Sequence, residues 1–250
     1  MKISIITVCY NAAATLETTL LSVLNQTYRD VEYLIIDGGS TDGTVDIIRK
    51  YEHRIAKWIS EPDRGIYDAM NKGIRLATSD WMLFMNAGDT FVDESVLTHV
   101  FERITPDADV VYGDNLMIYD SGSIYHKAGF FSKRDINLPF NHQSALVRTR
   151  LAKNNLFDPT YKIAGDYHFF YRLYRAGCRF QYIPLPIANY AMDGLSQKYV
   201  IKTFREVCEI RQRKKDLSYL FSLAFLKLKL WGARVLPACV IDTYRSILNR

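Results

Sequence analysis

The 250 residues suffice for one large α/β domain, or one domain with an extension. An apolar content of 48% with 13 glycines and 7 prolines excludes a disordered or fibrous chain. The formal net charge of +5 is uneven: residues 198–250 hold 12 Lys or Arg against 4 Asp or Glu, a surplus of +8, so the remainder carries −3. That asymmetry predicts a near-neutral working domain, 1–197, followed by a basic helical extension, 198–250.

Taken in chain order, the first half alternates strands and helices. KISIITVCY (2–10) is a β-rich apolar run, and AATLETTLLSVLNQ (13–26) has helical spacing at Leu16, Leu20, Val23 and Leu24. VEYLIID (31–37) predicts a second buried strand, and TVDIIRKY a helix with Ser40 or Asp42 as N-cap. AKWIS (56–60), helical GIYDAMNKGIRLA (65–77), strand WMLFM (81–85), helix DESVLTHVFERI (93–104) and strand ADVVYGD (108–114) continue the rhythm. Such alternation predicts an α/β fold, a mostly parallel sheet with helices on both faces and its ligand site beyond the carboxyl ends of the strands. Trp58 and Trp81 sit within or at the start of strands and read as core.

Beyond residue 114, LMIYDSGSIYHKAG predicts a hairpin around Ser121 and Gly122, and 130–143 a loop. NHQSALVR then enters a strand, IAGDYHFFYRLYRAG (163–177) is an amphipathic helix, and CRFQYIPLPIANYAM is extended despite Pro184 and Pro186. The four cysteines (Cys9, Cys178, Cys208, Cys239) form no CxxC pair and read as buried free thiols, implying a reducing, cytoplasmic compartment. The N-terminal apolar run is too short for a signal peptide, and no segment reaches the roughly 20 apolar residues that span a bilayer.

Four strand ends carry polar groups to one predicted edge: Thr7 to Asn11, then Asp37 with GGSTDGT, then SEPDRGIYDAMNKG, then Asn86 to Asp89. Each has a structural reading on its own, since Asp, Asn, Ser, Thr and Gly suit turns and helix caps. Four together point to a site.

These stretches resemble the family 2 inverting glycosyltransferases of the GT-A fold. The resemblance covers about residues 2–190 and rests on SIITVCYNAAATLETTLLSVLNQTY, YLIIDGGSTDGT, EPDRGIYDAMNKGI, MNAGD and AGDYHFFYRLYRAG in the family's order. EPDRGIYDAMNKG is most similar to enzymes that build bacterial cell-surface polysaccharides. The resemblance implies transfer from a nucleotide sugar to a glycan or polyprenyl-linked acceptor. It places Thr7, Tyr10 and Asn11 around the nucleoside, with Asp37 accepting a base N–H. A UDP-sugar is the first donor expected, because Asp37 can pair with an imide N–H; a GDP-sugar is the alternative.

Arg64 is assigned to the phosphates or to orienting the nucleotide, against a solvated surface role. Asn71 is grouped with the nucleotide, while Lys72 faces phosphate or solvent. Asp89 matches the family's metal motif, implying Mn2+ or Mg2+ bridging the donor's diphosphate. Asn86 and Gly88 stand where relatives often carry carboxylates, so metal binding without nucleotide is expected to be weak. Asp166 matches the Asp of the family's Glu-Asp pair and is assigned as the base. Gly165 replaces the preceding Glu, and a purely capping Asp is the alternative. His142 in NHQS is the candidate acceptor contact, against a merely packed side chain; His168 ranks below Asp166.

The tail reads as a basic helix (198–215) followed by a segment (217–231) that is apolar nearly all round, broken by Ser218, Ser222, Lys227 and Lys229. Residues 217–250 then either lie in the membrane interface at the cytoplasmic face or pack on the domain or in a homodimer. Nucleic-acid binding is not expected, since no module for it is present. CYNAAATLE lacks both the Gly-rich basic loop of sugar nucleotidyltransferases and the GxGxxG of dehydrogenases. A catalytically silent nucleotide- or glycan-binding protein of the same fold remains the competing reading.

Overall fold

A computed structural model gives the fold and describes residues 1–119, 122–131, 138–191 and 199–235. The first half is built from β1 (Ile3–Cys9), α1 (Leu16–Leu24), β2 (Val31–Asp37), α2 (Thr44–Lys50), β3 (Lys57–Ser60), α3 (Ile66–Leu76) and β4 (Trp81–Phe84). Strands β3, β2, β1 and β4 lie side by side and are mutually parallel. Every residue of β1 is buried, as expected for a strand covered on both faces.

Alternate side chains feed two cores. Ile3, Ile5, Trp81 and Leu83 pack with Leu16, Leu20 and Val23 of α1 on one face. Ile6, Leu34, Met82 and Phe84 pack with Met70 and Ile74 of α3 on the other.

The second half comprises β5 (Thr90–Phe91), α4 (Val96–Phe101), β6 (Val110–Tyr119), β7 (Gly122–His126), β8 (Ala145–Arg148), α5 (Thr149–Asn154), α6 (Gly165–Arg175) and β9 (Phe180–Ala191). The sheet order is β3-β2-β1-β4-β8-β6-β9-β5, with β7 paired to the outer part of β6. β8 runs antiparallel to both β4 and β6, so the parallel arrangement of the first half gives way to a mixed one.

The expected strand over NHQSALVR begins only at Ala145, because His142–Ser144 form a 3-10 turn. The prolines of β9 are accommodated where its register with β6 shifts, between Tyr112 and Asn115, as prolines in sheets require. Of the hairpin turn expected at Ser121 and Gly122, only Gly122 is among the described residues.

The basic extension contributes α7 (Val200–Ile210) and α8 (Leu217–Val235). The boundary expected at 197/198 falls outside the described residues, as do Cys239 and the rest of 236–250. α7 does not stand apart from the domain: Val207 packs with Ala164 and Tyr167, and Ile210 lies against the same cluster. α8 in turn lays Tyr219, Leu223 and Leu226 on Phe204 and Cys208 of α7. Among the described residues, no helix is long and apolar enough to cross a membrane.

The close seating of α3 on β1 depends on Gly73, where a Cβ would stand 2.5 Å from Ile6 Cγ2. Ile6 is wholly buried and has no room to retreat. Gly73→Ala is therefore expected to destabilise the fold by about 1–3 kcal/mol in a denaturant titration, although alanine is the better helix former.

Candidate active site

The carboxyl ends of β1, β2 and β4 meet at one edge. Cys9 is paired with Asp37 in the sheet, Gly38 N–H donates to Cys9 O at 2.9 Å, and Ala87 N–H to Val8 O at 3.2 Å. Beyond β4, Asp89 N–H donates to Asn86 O at 3.0 Å, closing a tight turn with Gly88 at φ +103°. Gly88 N–H is tied down by Thr19 Oγ1 of α1 at 3.0 Å. The two polar side chains of MNAGD thus occupy the ends of a single turn.

The 3-10 turn at His142–Ser144 clasps that turn. Gln143 Nε2 donates to Asp89 Oδ2 at 2.8 Å, and Asn86 Nδ2 lies 3.0 Å from His142 Nε2. With the amide donating there, the imidazole carries its proton on Nδ1, which lies 3.4 Å from Asp166 Oδ2. Two adjacent side chains therefore join the Asn86–Asp89 turn to Asp166 at the start of α6. The ring nitrogens of His142, the expected acceptor contact, face Asn86 and Asp166.

Asp166 Oδ1 accepts from the Tyr167 N–H at 2.7 Å, and Tyr67 Oη is 3.5 Å away. Tyr67 donates to Ile163 O at 2.6 Å, and burial, then the charge of Asp166, pushes its phenol well above its ordinary value. Its ring explains the missing glutamate. A Cβ on Gly165 would lie 2.6 Å from Tyr67 Cε2, so no side chain fits before Asp166.

At the end of β2, Asp37 is more committed than expected. Oδ2 accepts from Gly39 N–H (3.1 Å), Ser40 N–H (3.0 Å) and Ser60 Oγ (2.6 Å), while Oδ1 accepts from Ser40 Oγ (2.5 Å). The Cys9 thiol, 3.6 Å from Oδ1, adds to this shell, and Asp37 is fully buried. Burial raises the Asp37 pKa, but the hydroxyls of Ser40 and Ser60 and the two amides outweigh it and hold the carboxyl below its ordinary value. Burial, then Asp37, pushes the neighbouring Cys9 thiol far up, which leaves it inert.

Asn11, at φ +47°, donates its backbone N–H to Ser40 Oγ at 2.7 Å and accepts the Thr41 N–H at its side-chain oxygen at 3.0 Å. It therefore shapes the GGSTDGT loop. Tyr10 is 65% exposed and open as a flat wall beside Gly38. Arg64 projects into solvent at the next loop, 3.4 Å from Asp68.

Two sequence expectations are corrected. Thr7 is fully buried, donating to Met85 O at 2.7 Å and pairing with Tyr33 Oη at 3.0 Å, so it is not at the cleft. Asn71 is also buried: its amide donates to Phe157 O (2.9 Å) and accepts Phe157 N–H (2.8 Å). It fastens α3 to the loop before α6. Lys72 bonds Glu61 and Pro62 O. Gln143 and Tyr67 were not foreseen: a glutamine before a strand and a tyrosine at core spacing carry no signal of their own.

Asn86 Oδ1 is buried without a hydrogen-bond partner, an unusual state for an amide oxygen. With the Asp89 carboxylate it forms a pair of hard oxygen donors on one turn, a donor set that fits Mn2+ or Mg2+. Among the described residues no three His, Cys, Asp or Glu side chains converge as a metal cluster. Diphosphate and water oxygens would be needed to complete the coordination.

The profile of glycosyl transferase family 2 matches residues 4–177, and the chain belongs to that family. A "PGL/p-HBAD biosynthesis glycosyltransferase" of Mycobacterium bovis (strain BCG / Pasteur 1173P2) is 32% identical over 212 residues, covering 80% of this chain and 81% of the relative. The cholesterol galactosyltransferase of Borreliella burgdorferi is 29% identical over 120 residues, 47% of this chain and 33% of that one.

Among solved structures, Staphylococcus aureus TarS 1-349 in complex with UDP-GlcNAc superposes with a TM-score of 0.65 at 17% identity, covering 86% of this chain and 68% of that one. The mannosyltransferase PcManGT of Pyrobaculum calidifontis, in complex with GDP-Man and Mn2+, gives 0.66 at 17% identity, covering 100% and 81%. The fold is GT-A, and the protein is a glycosyltransferase.

The Asp37 network yields a pH signature. A carboxyl held low in the folded state contributes stability that is complete above its unfolded value, about pH 4, and is lost as pH falls through the folded value. Asp37→Asn puts the donor NH2 of a carboxamide against N–H or O–H donors and should cost about 1–3 kcal/mol at pH 7. Chemical denaturation should show its gap to wild type narrowing below pH 4.

Proposed function

We propose that the chain is a metal-dependent, inverting hexosyltransferase that moves a sugar from a nucleotide donor to a lipid-linked or glycan acceptor in bacterial surface-polysaccharide assembly. One observation carries the reading: adjacent residues of one turn, His142 and Gln143, hold Asp166 and Asp89 together at the strand ends. The two halves of such a transfer, a proton acceptor and a grip on the leaving diphosphate, then lie across a single clasp.

Asp166 takes the proton of the acceptor hydroxyl as its oxygen attacks the anomeric carbon from the face opposite the leaving group. The sugar–phosphate bond breaks with its electron pair on the departing nucleoside diphosphate, and the anomeric centre inverts. His142 Nδ1 and the Tyr167 N–H orient the carboxylate. Asp89 and Asn86 would hold Mn2+ or Mg2+, which when bound supplies Lewis-acid stabilisation of the leaving charge. Tyr10 offers its ring to the base, with Asn11 and Asp37 holding the loop that faces it. Arg64 is free to swing to a phosphate. The donors in the related structures, UDP-GlcNAc and GDP-Man, make uridine and guanosine the nucleosides to test first.

The extension supports an amphiphilic acceptor. Opposite the face of α8 that packs on α7, Leu217 (84% exposed), Phe221 (76%), Phe225 and Leu228 form an open apolar stripe. Lys214 and Lys215 precede this stripe, and the exposed Lys227 flanks it. Such a stripe suits an anionic bilayer surface, where a lipid-linked acceptor is displayed at the cytoplasmic face. The name of one relative, a cholesterol galactosyltransferase, supports an acceptor with an apolar body.

Two experiments test the reading. With Mn2+ and UDP-GlcNAc or GDP-mannose, Asp166→Asn should cut release of free nucleoside diphosphate by about 10²–10⁴-fold while nucleotide affinity stays unchanged. Asp89→Ala and Asn86→Ala should instead weaken Mn2+-dependent nucleotide binding in calorimetry. Nucleotide binding with no turnover of any donor would favour the silent binding protein.

The full chain should sediment with phosphatidylglycerol vesicles and Phe221→Glu/Phe225→Glu should not. A concentration-dependent dimer that ignores vesicles would assign the stripe to self-association.

A further inference from the structure

The glutamate that Gly165 cannot carry has a counterpart elsewhere in the chain. Glu206, on α7, reaches the three residues that lead into α6. Its Oε2 accepts the N–H groups of Ile163 and Ala164, both at 2.9 Å, and its Oε1 accepts that of Lys162 at 3.2 Å. These amides have no helical partners, because they precede the first turn. A carboxylate that gathers three of them fixes the backbone immediately before Asp166, and its charge complements the positive end of α6.

The same stretch is gripped from its other side. Tyr67 donates to Ile163 O at 2.6 Å, and its ring fills the space above Gly165. That ring is itself stacked on Phe157, 5.4 Å between centroids. Residues 162–165 thus run through a vice, with a phenol from α3 on one side and a carboxylate from the C-terminal extension on the other. Val207, one residue from Glu206, packs on Ala164 and Tyr167, so the carboxylate is seated by the core of the α6–α7 contact.

We propose that Glu206 is a positioning residue for Asp166, so that α7 is a working part of the active site. The inference rests on the reading of Asp166 as the base. Glu206 touches neither donor nor acceptor and acts only through the path of residues 162–166. A displacement of the base by about an ångström is enough to lower turnover by two orders of magnitude.

The test is a double-mutant cycle on the full chain. It uses Glu206→Gln, Glu206→Ala and Asp166→Asn, with UDP-GlcNAc and GDP-mannose as probes in Mn2+ and nucleoside diphosphate release as the readout. Glu206→Gln keeps the volume and one acceptor oxygen but turns the donor NH2 of its amide toward a backbone N–H. It should lower kcat about 10-fold, and Glu206→Ala about 100-fold, with KM and nucleoside diphosphate affinity unchanged. Placed on Asp166→Asn, either change should have almost no further effect, because the group it positions is gone.

A purely structural Glu206 would raise KM, weaken nucleotide binding, or multiply with Asp166→Asn; any of these overturns the proposal. Full kcat in Glu206→Gln also overturns it, and that variant decides the matter if the alanine does not fold. Turnover undiminished by Asp166→Asn would instead remove the base reading, an outcome separable from the failure of Glu206.

Discussion

How the loop after β4 meets the start of α6 depends on the clasp formed by His142 and Gln143. The loop after β4 and the first turn of α6 are far apart in the chain and arrive from different layers of the fold. Asn86 Nδ2 at 3.0 Å and Asp89 Oδ2 at 2.8 Å fasten the first, and the Nδ1 side of the imidazole reaches the second. The clasp is possible because β8 enters the sheet antiparallel beside β4, which delivers the 3-10 turn preceding it to the carboxyl edge. A parallel strand at that position would bring its amino end to the opposite edge of the sheet.

The loop after β2 is organised differently. Asp37 is surrounded by donors from its own loop, so its charge organises backbone before it meets any ligand. Asn11 and Asp42 extend the same work: Asn11 takes the Thr41 N–H, and Asp42 accepts from Ala13 and Thr44. The Tyr10 ring and the Arg64 guanidinium are exposed at this edge. The protein spends its buried polar groups on rigidity and leaves its exposed ones for contact.

The C-terminal extension joins the two themes. α7 is packed on α6 and its Glu206 caps the approach to Asp166, while α8 packs one face on α7 and turns the other outward. A change at the outer face of α8 is therefore only two packed helices from Asp166.

Much of this was legible in the chain. The β-rich apolar runs and the helical spacing between them gave β1 to β4 and α1 to α3 nearly to the residue, because buried parallel strands and amphipathic helices write their periods directly into the sequence. The short α5 and the two-residue β5 left no such period, and the basic composition of the tail concealed that α7 is half core. Among the site residues, Asp89 and Asp166 could be singled out by motif, yet Thr7 and Asn71 turned inward, and Tyr67 and Glu206 passed as an ordinary core tyrosine and an ordinary charge in a basic helix. By itself the sequence determined the α/β alternation, the edge at which polar groups gather and the family to which the chain belongs, since these follow from local pattern and order. Only the tertiary structure decided which polar side chains face one another, because a hydrogen-bond partner 40 to 100 residues away is selected by how layers pack and leaves no mark on the local sequence.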